Sequence, residues 1–134
     1  MKEFYLTLKP VRSMYGHPGE FYAPWTKRLQ GAWECALVEI SMDCDFTPKS
    51  DRLYLFGDFL DTSYIQANQY PLLRNVEVRD KKYLTERYLD PRYVRMREIG
   101  SEVAQFRFVD DSLNPVTFES EQLHLVLHVR PVKI

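Results

Sequence analysis

Histidine, aspartate and cysteine are the residues through which this chain could do chemistry, and their spacing decides whether they can. His124 and His128 stand four residues apart. On a helix that spacing would present two imidazoles to one zinc ion. Here the two histidines are interleaved with Leu123, Leu125, Leu127 and Val129, a two-residue alternation that belongs to a strand. On a strand they share a face but lie roughly 13 Å apart at about 3.3 Å per residue, too far for one metal ion. They read as part of a polar outer face. His17 stands alone in a loop.

The carboxylates give no clearer centre. Asp43 with Asp45, and Asp110 with Asp111, could in principle hold calcium or act as an acid–base pair. Neither pair has the glycine-spaced ligand ladder of a calcium loop, and aspartate beside a strand is foremost a turn former. Asp58 and Asp61 share that weakness. An enzyme on this chain would need Asp58, Asp61 and Asp111 to converge on one pocket. There is no nucleophile elbow, phosphate loop or dinucleotide fingerprint. Cys35 lies in an apolar stretch with no basic partner to activate it. The residues therefore predict no catalytic centre, no metal and no cofactor.

One further cluster is chemical in character. Arg79, Lys81, Lys82, Arg87, Arg92, Arg95 and Arg97 crowd one part of the chain, diluted by Asp80, Glu86 and Asp90 and interleaved with Tyr83, Tyr88 and Tyr93. Nucleic-acid grooves and protein interfaces both use arginine with tyrosine. A solvated loop beside an edge strand is the competing reading. Contact with nucleic acid would make affinity fall steeply with salt.

These residues need elements to position them. The chain is organised around Gly31–Met42, in which Trp33, Cys35 and Leu37 fall on one side of a strand and Ala36, Val38 and Ile40 on the other. Apolar residues on both sides predict a strand covered on both faces, or a central strand of a sandwich. Glu39 is expected on the side of Trp33 and Leu37. Glu3–Pro10 alternates as a first strand that Pro10 stops. Val11–Glu20 reads as a loop and Phe21–Leu29 as irregular extended chain interrupted by Pro24. Gln30–Gly31 is a turn. Arg52–Asp58 is a strand, and one helical turn is possible around Thr62–Ala67. In Leu72–Arg79, Leu72, Val76 and Val78 share a face with Arg74, opposite Leu73. Asp80–Asp90 is expected to be exposed. Arg92–Arg97 alternates, as do Ala104, Phe106 and Phe108; Asp110–Pro115 is a turn, and Leu123–Arg130 is the last strand.

About eight short strands, long connections and no helix of three turns predict an all-β sandwich with Greek-key or jelly-roll wiring. The 134 residues suit a single domain, and a chain of this length buries roughly two-thirds of its unfolded surface. Aromatic residues make up 14 %, which favours strands. A net charge of −1 argues against a general attraction to nucleic acid or membrane. Cys35 and Cys44 read as free thiols. The opening MKEFYLTLKP lacks the apolar run of a signal peptide, and no stretch is long enough to span a bilayer. Folding in a reducing compartment is expected.

With these residues placed, the order of motifs resembles the short structural proteins of Polinton/Maverick elements and their adintovirus relatives. The shared pieces are an F-x-L-x-L strand (Phe4–Leu8) and a leucine–glycine–tryptophan–glutamate segment over Leu29–Ile40, with Trp33, Glu34, Ala36, Leu37, Glu39 and Ile40 in place. A tyrosine-bearing strand, Leu53–Asp58, follows, then the box Pro71, Leu72, Leu73 and Arg74 and the step Pro91–Val94. The chain closes on Asp110–Phe118 and on Leu123–Arg130, which carries Leu125 and Leu127. The resemblance implies a single jelly roll and a penton-type or minor capsid subunit. It implies self-assembly, as a pentamer, and contact with a major capsid protein, with no catalysis. Its place would be the virion, after synthesis in the host cytoplasm or nucleus rather than secretion.

Tyr15, Phe21, Tyr22 and Trp25 gather in a stretch where a small sandwich is not expected to bury them all, which makes them candidate interface residues. A ligand-binding sandwich, for instance a carbohydrate-binding module, would use Trp25 and nearby tyrosines as a stacking platform.

Overall fold

The computed structural model describes residues 2–9, 20–25, 29–44, 51–65, 67–79, 82–97, 103–116 and 123–133. Among these residues there is no helix. The strands are β1 (Phe4–Leu8), β2 (Glu20–Pro24), β3 (Trp33–Asp43), β4 (Arg52–Gly57), β5 (Ser63–Ile65), β6 (Asn68–Tyr70), β7 (Leu72–Glu77), β8 (Tyr83–Arg87), β9 (Val94–Arg95), β10 (Val103–Val109) and β11 (His124–Pro131).

One sheet runs β1-β11-β3-β8, with β9 also paired to β3; the other runs β2-β10-β4-β7. Every pair is antiparallel. Followed along the chain, β1 to β4 alternate between the sheets. Strands β4 and β7 are neighbours in one sheet, and β8, β10 and β11 alternate again. This wiring, two Greek keys folded over each other, is a jelly roll. The small hairpin β5–β6 is inserted between β4 and β7.

Alternation explains the core. Leu125, Leu127 and Val129 of β11, Leu53 and Leu55 of β4, and Ala104, Phe106 and Phe108 of β10 are all buried. Phe21 stacks on Phe106 at 5.1 Å and on Phe108 at 5.6 Å, and Phe59 meets Phe106 edge-on. Burying each such ring contributes about 1.5–3 kcal/mol, which is how the chain closes a core with neither cysteine in a disulfide.

Several sequence expectations are corrected by register. β3 carries a bulge: Leu127 pairs with Leu37 and Val126 with Glu39, so Val38 is the extra residue. The bulge shifts the alternation by one. Ile40 and Met42 therefore join Trp33, Cys35 and Leu37 inside, while Glu39 moves to the outer side with Val126. A second bulge, where Leu55 pairs with Arg74 and Phe56 with Leu72, turns Leu73 inward with Val76 and Val78. Among the described residues of Thr62–Ala67 the expected helical turn is replaced by strand: Ser63–Ile65 is β5, and the positive φ of Ala67 (70°) leads into β6. The charged stretch after Arg79 contains β8, whose Leu84 is buried while Tyr83, Thr85 and Arg87 remain exposed.

Candidate functional site

The outer face of the β1-β11-β3 sheet holds a dense polar and aromatic cluster. Register lines up Tyr5, His128 and Ala36 in one row across three strands. β9 pairs Val94 with Cys35, which puts Tyr93 one step on, beside Ala36. Alanine there leaves space above the sheet, and Tyr93 fills it: its Oη lies 2.6 Å from Nδ1 of His128. Ala36 and His128 are buried although they face outward.

The cluster extends on both sides. Tyr5 stacks on the His128 ring at 4.7 Å. The Arg130 guanidinium sits 3.4 Å above the centre of the Tyr93 ring, and its Nε donates to Glu34 Oε1 at 2.8 Å. His128 Nε2 lies 3.5 Å from Glu3 Oε2, without a hydrogen bond between them. The set thus ties the first strand, the last strand and β9 together on one face. It was not legible in the sequence, because Glu3, Glu34, Tyr93, His128 and Arg130 converge from four strand regions.

The remaining expected site residues fall elsewhere. Trp33, Leu37, Ile40, Leu73, Leu125 and Leu127 are core residues; Pro71, Leu72 and Arg74 are half-buried. The interface expectation is corrected for Phe21 and Trp25, which are 1 % and 3 % exposed. β2 is the edge strand beside β10, so Phe21 and Ala23 point between the sheets, and Trp25 packs on Phe59 at 5.5 Å. Trp25 therefore offers no stacking platform to a ligand. Tyr22 is half-buried, and Tyr15 lies outside the described residues, as do His17, Asp45 and Lys81.

Asp58 and Asp111 do not converge. Asp58 follows Gly57 at one end of β4, and Asp111 lies past Val109, which pairs with Tyr54 toward the other end. Asp110 serves as a turn former: its Oδ1 accepts from the amides of Ser112 and Asn114 at 2.9 and 3.0 Å. Asp111 instead lines an open polar depression of about 270 Å³ with Asp51, Arg52, Tyr54, Glu77 and Arg79. Among the described residues, no three His, Cys, Asp or Glu side chains gather as metal ligands.

Three arginines of the arginine-rich stretch have partners within the chain. Arg79 pairs with Asp51 at 3.1 Å. Arg92 donates to the Leu72 carbonyl at 3.1 Å and to Ser63 Oγ at 3.0 Å, tying the β5–β6 hairpin to β7. Arg97 donates to the Leu60 carbonyl. Arg92 and Arg97 thereby hold loops against the sandwich.

No protein-family model matches the chain, and no curated protein matches it.

Proposed function

We propose that the chain is a structural subunit of a virus-type shell, a penton-type or minor capsid protein that works through contacts with copies of itself and with a major capsid protein. The observation that carries this reading is the wiring: β1-β11-β3-β8 facing β2-β10-β4-β7. A jelly roll is a recurrent shell-building unit, and the argument is one of fold analogy joined to the motif order over Leu29–Ile40, Pro71–Arg74 and Leu123–Arg130. The polar cluster around His128 ties strands together, as a structural unit requires. Rings of identical subunits form through head-to-tail contacts.

The test is assembly. Purified chain, alone and co-expressed with a candidate major capsid protein, is examined by mass photometry and particle imaging. Closed rings, or copies at five-fold vertices, are expected. A strictly monomeric chain at high concentration that joins no particle overturns the reading.

A further inference from the structure

We infer that β1 is a docking edge for a second copy of this chain, the two β1 strands pairing antiparallel about a two-fold axis through Leu6. This contact goes beyond the shell reading and does not require it. Among the described residues, β1 is the end strand of its sheet and pairs with β11. Its inward residues Phe4 and Leu6 are only partly buried within one copy, and outward Tyr5 is 69 % exposed.

The sequence of the strand fixes the register. In a two-fold antiparallel pair, residues opposite one another share a face, so the axis must pass through a residue. An axis at Tyr5 sets Glu3 against Thr7 and Lys2 against Leu8. An axis at Thr7 sets Tyr5 against Lys9 and Phe4 against Pro10. Only the axis at Leu6 matches the strand to itself. Glu3 then faces Lys9, Phe4 faces Leu8 and Tyr5 faces Thr7, each pair made twice by symmetry. Apolar residues meet on the inner side, and opposite charges meet at both ends of the outer side. The result is one continuous sheet, β8-β3-β11-β1 followed by the same four strands of the partner in reverse.

Sedimentation of the full chain against concentration tests this. A reversible dimer is expected. Lys9→Glu, at an exposed position, places two like-charged pairs across the axis and should weaken the dimer about tenfold. The double variant Glu3→Lys with Lys9→Glu restores opposite charges and should restore the dimer. Oxidised Leu6→Cys should form a covalent dimer, because that residue alone faces its own copy, whereas Thr7→Cys should not. A monomer at all concentrations overturns the inference. So does self-association indifferent to Lys9→Glu, or cross-linking no better at position 6 than at 7.

Discussion

Tyr93 and His128 are 35 residues apart in the chain, yet the phenol of one lies 2.6 Å from the imidazole of the other. The contact exists because Ala36, between their strands, has no side chain long enough to prevent it. Tyr93→Phe keeps the ring beneath Arg130 and removes only the hydroxyl, leaving Nδ1 of a buried histidine without its partner. A loss of about 1–2 kcal/mol in urea unfolding is expected. An unchanged midpoint would mean that this hydrogen bond adds nothing to the fold.

Trp25 is a core residue, packed on Phe59. Trp25→Ala should destabilise by about 3–5 kcal/mol through lost burial and a residual cavity. The measurement is chemical denaturation. A variant as stable as the parent but impaired in binding would return Trp25 to the surface and revive the ligand-binding alternative.

Two glycines should respond differently to alanine. A Cβ at Gly57 would lie 2.9 Å from Phe59 Cε1 and 3.3 Å from Leu60 Cδ1, both in the core. Gly57→Ala should cost about 1–3 kcal/mol by overpacking. Gly31 has open space around it but a φ of +84°, so alanine meets backbone strain alone, about 1 kcal/mol. Melting curves of the two variants give the ranking, and the reverse order would contradict the packing at the end of β4.

Stability should depend on alkaline pH through Cys35. Burial, with the neighbouring Glu34 carboxylate adding to it, pushes this thiol from 9.0 up to about 12. Between those values the unfolded chain has released the proton and the folded chain retains it. Stability is therefore intact below pH 9.0 and declines as pH rises toward 12. Tyr88, raised by burial from 10.0 to about 12, acts in the same direction. Urea midpoints across this window should fall less steeply for Cys35→Ala than for the parent. Parallel curves would show that the thiol is not held neutral by the fold.

The sequence by itself determined the all-β character, the single sandwich and the places of β1, β4, β10 and β11. Alternation over Phe4–Leu8, Ala104–Phe108 and Leu123–Val129 has only one satisfactory way to bury its apolar half. Turn chemistry was equally local: Gly31 takes a positive φ, and Asp110 binds its own following amides. The exposure of Tyr22, Phe21 and Trp25 was a different kind of question, since an apolar residue near a proline is buried only if another sheet covers it. Tertiary structure decided that, by pairing β2 with β10 in one sheet and laying the β1-β11-β3-β8 sheet over it. It also decided the two bulges, because an extra residue such as Val38 or Leu73 is defined only by the strand opposite. It made a strand of charged Tyr83–Arg87, where a single inward Leu84 and backbone pairing to β3 suffice. The cluster around His128 belongs to the same class: its members are distant in the chain, and their meeting follows from strand register, which spacing along one strand does not specify.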